Sequence, residues 1–345
     1  MSKQRLSAVG SGRRNLVLAA GASALGLVLP RYAIAQQKFT CRIAHSEAIG
    51  SPLTVALEKY TLVLREKSGG RIDAQHFPAG QLGNYTQLIE QSRIGTIQIT
   101  AGGPDTEEAV APEIAVAAGA PGFMYKDEAH ADRVLHGAIG REISAIARKK
   151  TGVEFVAYGE VGFRHLLSKR PVTKLEDLKG LKIRTPELRL WVDFWKKLGA
   201  NPTPLPYAEQ YSALSTGVID GLEADYFSIL GFKWYEQARN LTLTGHWFLP
   251  KAIRVNAAWL DGLPPDLQKV VRDAAIEVFA EQRTLNRAKA NEALAQLEKA
   301  GTVVHRLSDA EKQRWMAATA PLFDEFGAKS PETKAMIAKI TALRG

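Results

Sequence analysis

Leu178-Lys179-Gly180-Leu181-Lys182-Ile183-Arg184-Thr185-Pro186 reads as a connection, a short strand over 181–184 and a proline that turns the chain out of it. Apolar residues at helical spacing over 188–198 follow, so the unit is strand, turn, helix. The same alternation repeats outward. Before it, strands are predicted over 40–45, 71–77, 96–100, 152–158 and 162–167, with helices over 85–94 and 127–149. Another helix starts at Ser51-Pro52, with Ser51 as N-cap and Pro52 in the first helical position. After it, a helix over 207–215 precedes strands over 218–223, 241–244 and 252–256. A long helix over 265–299 carries Leu267, Val270, Val271, Ala274, Val278 and Phe279 at helical spacing, and helices over 309–326 and 331–343 close the chain. The fold class is α/β. There is no internal repeat and no low-complexity linker, so two lobes are expected with more than one chain crossing between them.

Arg184 stands in a short apolar strand context, and so does Arg164 in Gly162-Phe163-Arg164, twenty residues upstream. A guanidinium keeps its charge at any physiological pH and presents a planar fork that matches a carboxylate. Placing one near an interior is costly unless an anion meets it. The bland reading of each arginine is an ion pair within the chain. Together, with Thr185-Pro186 turning the chain beside one of them, they point to a pocket for a small organic acid. Tyr207, Tyr226-Phe227 and Trp247-Phe248 supply aromatic surface near strand ends, as clefts with apolar walls require. Glu223 and Asp225 are candidates to balance the arginines, meet a ligand hydroxyl or bind a metal. So few oxygen donors argue against a metal site, and none is expected.

The N-terminus reads as a removable export signal. Arg13-Arg14 precedes the apolar run 16–29, and Ala33-Ile34-Ala35 offers the small residues of a cleavage site, a secretory leader of twin-arginine type over 1–35. The apolar run is short of the roughly 20 residues needed to span a bilayer. The leader holds Lys3, Arg5, Arg13, Arg14 and Arg31 and no acid, so losing these five cations takes the net charge from +9 to +4. Scattered, mild positive charge gives no footing for nucleic acid. A single cysteine, Cys41, excludes an internal disulfide and CxxC chemistry, and its place in a strand marks it as a buried thiol. GxxxxGK[ST], GxSxG and HExxH are all absent, and the seven histidines are dispersed. Neither an enzyme nor a cofactor is expected. An exported lyase or hydrolase acting on an organic acid remains the alternative, since fold does not fix function.

Four segments in order, Ser68-Gly69-Gly70-Arg71-Ile72, Phe77-Pro78-Ala79-Gly80-Gln81-Leu82-Gly83, the 178–186 stretch and Thr216-Gly217-Val218-Ile219-Asp220-Gly221-Leu222-Glu223, carry a resemblance. The chain resembles the DctP-type solute-binding proteins of tripartite ATP-independent periplasmic (TRAP) transporters, from about residue 39 to 343. The resemblance implies a two-lobed periplasmic binding protein, type II-like, with a long helix spanning both lobes. One lobe takes residues 36–161 and 249–289, the other 162–248 and 290–345. It implies an organic-acid ligand, delivery to small and large TRAP membrane subunits, and a periplasmic location. It also implies that Arg184 makes the main salt bridge to the ligand carboxylate, that Arg164 faces the ligand, and that Tyr207 packs on it. Ala224 stands where sugar-acid binders often carry asparagine, and Trp247 where the sialic-acid type carries another. These departures argue against sialic acid and against a highly hydroxylated ligand. The metal-assisted 2-oxoacid binders resemble Glu-Trp where this chain has Glu223-Ala224, and Gly245-His246-Trp247 offers no further acid. The expected ligand contacts are thus Arg184, Arg164, Tyr207 and Trp247, with Asp225 and Glu223 beside them.

Overall fold

The computed structural model describes residues 37–345, so the leader read at 1–35 lies outside the described residues. Strands β1 (Phe39–Ala44), β2 (Ile72–Phe77) and β3 (Ile99–Gly102) come first, then β4 (Val153–Ser168), β5 (Lys182–Thr185), β6 (Asn201–Pro204), β7 (Gly221–Ala224), β8 (Asn240–Asn256) and β9 (Val303–Arg306). The helices of the first part are α1 (Pro52–Lys67), α2 (Tyr85–Arg93), α3 (Pro112–Ala115), α4 (Glu128–Leu135) and α5 (Ala138–Thr151). Then come α6 (Arg189–Lys197), α7 (Gln210–Thr216), α8 (Tyr226–Gly231), α9 (Ala257–Asp261), α10 (Pro265–Lys299), α11 (Asp309–Thr319), α12 (Pro321–Gly327) and α13 (Pro331–Ala342).

All nine strands form one sheet in the order β2-β1-β3-β8-β4-β7-β5-β6, with β9 also on β8. The short strands run parallel to their neighbours within each flank, β1 to β2 and β3, β5 to β6 and β7. Antiparallel β4 and β8 join the two flanks. Four predicted strands are thus two. The runs 152–158 and 162–167 are halves of β4, and 241–244 and 252–256 are halves of β8. Their ladder slips between Glu160 and Gly162, where Gly162 sits at φ +84° and pairs with Leu249. A glycine permits that backbone where another residue is strained. A period-2 reading sees two strands because the bulge resets which face each side chain takes.

Several boundaries fall where the sequence placed them. Ser51 caps α1 with Pro52 at its start, and α10 spans 265–299 as expected. The predicted helix over 127–149 is two helices, broken at His136-Gly137. The edge strand β6 holds two prolines, which hid it from a propensity reading. Helix α13 packs on α4 and α5: His130 Nε2 bonds Ile340 O at 2.9 Å, and Lys339 pairs with Glu142. Among the described residues no helix is long and apolar enough to cross a membrane. Cys41 is fully buried in β1, and burial pushes its thiol far above the ordinary range.

Burial keeps several histidines neutral. It brings His45 and His136 down to about 4, His165 to about 3, and His246 well below its ordinary value. The unfolded chain takes up those protons near pH 6.5, whereas the folded chain refuses them until lower pH. Stability is therefore full above about pH 6.5 and lost as pH falls toward 4, at up to about 1.4 kcal/mol per pH unit and histidine. Four such histidines over the ~1.5 units between pH 6.5 and pH 5 contribute up to about 8 kcal/mol together, so denaturant unfolding at pH 7 and pH 5 is expected to differ by several kcal/mol. A flat profile between those values would contradict buried, neutral histidines.

Candidate functional site

The parallel strands of both flanks end at one cavity. Ser46 and Glu47 follow β1, Asp105 follows β3, Pro186 and Glu187 follow β5, and Glu223 lies near the end of β7. Arg164 of β4, Arg184 of β5 and Lys251 of β8 reach the same space, with Tyr85, Trp191 and Tyr207 as aromatic lining. A crevice outside the carboxyl ends of parallel strands is where open α/β sheets bind ligands.

The two arginines are both buried, at 5% and 4% exposure, but they are not equivalent. Arg164 is neutralised within the chain: its Nε and Nη2 donate to the Glu223 carboxylate, Nη2 also donates to Glu223 O at 2.7 Å, and Nη1 lies 3.5 Å from Asp225 Oδ2. Burial pulls its guanidinium down, and Glu223 with Asp225 more than offsets that, leaving it above its ordinary value. Of the roles open to Glu223 and Asp225, balancing an arginine is the one found here, and for Arg164 the ion pair within the chain replaces an open fork. Register explains the pairing: Leu166 faces Glu223 across the β4–β7 ladder, so Arg164 and Glu223 sit two residues apart on adjacent strands.

Arg184 is the exception. Its Nε and Nη2 donate to one backbone oxygen, Leu205 O, at 3.0 and 2.8 Å, and among the described residues no carboxylate forms a salt bridge with it. Burial brings it down to about 10, although Glu223 and Tyr207 oppose that shift. The Tyr207 ring lies 5.6 Å from its guanidinium carbon and is held edge-on by Phe232 and Trp234. An always-charged group buried without a counter-ion is a standing electrostatic cost, relieved when an anion arrives.

The other expected contacts divide. Glu223 lines the cavity as the partner of Arg164. Asp225 is not in the lining; it caps α8, accepting from Ser228 N at 2.9 Å and Ser228 Oγ at 2.7 Å. Trp247 is corrected from pocket wall to second layer. It is buried behind Trp191, stacked on it at 3.8 Å, and donates Nε1 to Ala118 O. It is not part of the cavity lining, so the apolar surface it was expected to add there no longer argues against a hydroxylated ligand.

Sequence reasoning missed Lys251, Glu47, Asp105, Tyr85 and Trp191. Lys251 and Glu47 form a buried ion pair at 2.7 Å, in which each partner overrides the burial penalty of the other. Asp105 accepts from Trp191 Nε1 at 2.8 Å through Oδ2, while burial raises its carboxyl above the usual range. Side chains on Gly102 or Gly103 would run into Arg254, Tyr85 and Asp105, so that glycine pair serves close packing. Lys251 was discoverable, because Leu249-Pro250-Lys251-Ala252-Ile253 is as apolar a setting as those that singled out the arginines. Among the described residues no cluster of three or more metal-ligating side chains occurs.

The sequence pattern of the DctP family, bacterial extracellular solute-binding protein family 7, matches residues 43–330. The chain belongs to this family. It is a solute-binding receptor. The 2,3-diketo-L-gulonate-binding periplasmic protein YiaO of Escherichia coli is 34% identical over 232 residues, 67% of this receptor and 70% of its own length. A TRAP periplasmic solute-binding protein from Roseobacter denitrificans, crystallised with bound β-D-glucuronate, matches with TM-score 0.84 and 30% identity, over 88% of this receptor and 99% of that chain. Another from Xanthobacter autotrophicus, with bound β-D-galacturonate, matches with TM-score 0.82 and 33% identity, again over 88% and 99%. The match to these receptors confirms the two-lobed α/β fold class.

Proposed function

We propose that the receptor binds a hydroxylated monocarboxylate, a sugar acid of the uronate or aldonate kind, with its carboxylate on Arg184. The observation that carries this reading is how the cations of the cavity are paired. Lys251 forms a salt bridge with Glu47 and Arg164 with Glu223 and Asp225, whereas among the described residues Arg184 forms none and its guanidinium is the one open to a ligand carboxylate. Ser46, Asn84, Tyr85, Thr86 and Asp105 line the cavity from the β1–β3 flank and offer hydroxyl, amide and carboxyl partners to a polyol chain. The uronates bound in the two related structures support the same class. Tyr207 and Trp191 supply apolar faces for the carbon skeleton.

The lobes meet at the β4–β8 bulge beside Gly162 and Leu249, and α13 joins the first lobe. Export over the 1–35 leader places the receptor in the periplasm, and its partners there are the small and large TRAP membrane subunits. Calorimetric titration with D-glucuronate, D-galacturonate, galactonate and succinate tests the ligand class. A sugar acid is expected to bind at micromolar strength or better, about 8 kcal/mol, and succinate at least tenfold more weakly. Tighter binding of succinate would overturn the monocarboxylate reading.

A further inference from the structure

We propose that Glu108 is a positioning residue for ligand retention: reaching from the β3 side of the cavity, it caps the N-terminus of α6 and fixes the wall made by Pro186, Glu187 and Trp191. The inference rests on the ligand site described above. Helix α6 has no cap of its own, because Leu188 stands at the N-cap position and offers no side-chain hydrogen bond. The first N–H groups of a helix lack partners within it and need an outside acceptor. Leu190 N supplies one such donor to Glu108 Oε2 at 3.0 Å, from 82 residues away in sequence. The other carboxylate oxygen, Oε1, accepts from Lys329 Nζ at 2.6 Å, and the residue is only 7% exposed. A carboxylate at a helix N-terminus also meets the positive end of the helix dipole.

The next residue repeats the grip. Trp191 donates Nε1 to Asp105 Oδ2 at 2.8 Å, and its ring lies under the Arg164 guanidinium at 5.7 Å. Asp105 and Glu108 thus hold two consecutive residues of α6 from one short segment. That segment follows β3, whereas α6 follows β5, and β8, β4 and β7 lie between those strands in the sheet. The contact joins opposite sides of the cavity. Glu108 is not a lining residue, so any effect it has on binding passes through α6.

The test compares Glu108→Ala, Glu108→Gln and Lys329→Met with the wild-type chain, by stopped-flow tryptophan fluorescence and by melting with and without acid. D-glucuronate is the probe, replaced by the tightest acid of the titration panel where that is a different one. Glu108→Ala is expected to raise koff about tenfold with kon nearly unchanged, and to shrink the melting shift that the acid produces. Glu108→Gln keeps an acceptor for Leu190 N and is expected to stay within about threefold of wild type, as is Lys329→Met. Unchanged koff in Glu108→Ala, with both melting temperatures lowered equally, would reduce Glu108 to a fold-stabilising cap and overturn the proposal. An equal effect of Lys329→Met would overturn the cap in favour of the ion pair. A wild-type chain that binds no acid of the panel removes the functional reading and this proposal together.

Discussion

Arg184→Met is expected to abolish acid binding in a protein that melts no lower than the wild type. The binding loss follows from the arrangement of donors. A carboxylate on Arg184 gains charge-assisted hydrogen bonds of about 1.5–3 kcal/mol each. Two such bonds removed weaken affinity by roughly 10²- to 10³-fold or more. The stability result runs against the usual cost of truncating a buried residue. Arg184 is a buried cation brought down to about 10, and among the described residues its hydrogen bonds go to Leu205 O alone. Removing it loses those bonds but also relieves a charge the interior holds at a penalty, and the two changes are each of a few kcal/mol. Calorimetric titration and thermal melting of the one variant read both effects. Retained micromolar binding would remove Arg184 from the account, and a steep fall in melting temperature would assign it a structural role.

Glu223→Ala is expected to act in the opposite sense, with stability as its main casualty. It leaves the buried Arg164 guanidinium with Asp225, whose Oδ2 lies 3.5 Å from Nη1, as its one remaining carboxylate, beside the bond to the backbone oxygen of residue 223 that the substitution keeps. Stripping one partner from a buried pair costs about 3–5 kcal/mol, because the remaining charge stays in the interior uncompensated. For a chain of this size that corresponds to a melting temperature lower by about 10 °C. The freed Arg164 then presents a second anion-binding fork, so dicarboxylates such as succinate are expected to gain affinity relative to sugar acids. An unchanged melting temperature would show that Asp225 alone satisfies Arg164.

These two substitutions differ because neighbouring strands treat the arginines differently, which only the register reveals. Residue type and apolar context picked out Arg164 and Arg184, and helical spacing gave α1 and α10 nearly to the residue. Which arginine finds an internal partner depends on β7 lying beside β4, a pairing of residues some sixty apart that no local pattern encodes. Trp247 was misplaced for a related reason. It faces Arg164 in the β4–β8 ladder, yet α6 inserts Trp191 between it and the cavity. Lys251 and Glu47 stayed hidden because each is brought to the cavity by a different strand, and their meaning appears only as a pair. The bulge at Gly162 likewise made one strand look like two.

Among the described residues Arg184 is the one cavity cation held without a counter-ion, and a ligand carboxylate is expected to complete it. A crystal structure of the receptor with its bound acid tests this most directly. The expected result is a carboxylate in hydrogen-bonding contact with the Arg184 guanidinium at about 2.7–2.9 Å, with the Arg164–Glu223 pair intact. A bound acid whose carboxylate rests on Lys251 or Arg164, with Arg184 still tied only to Leu205 O, would contradict it.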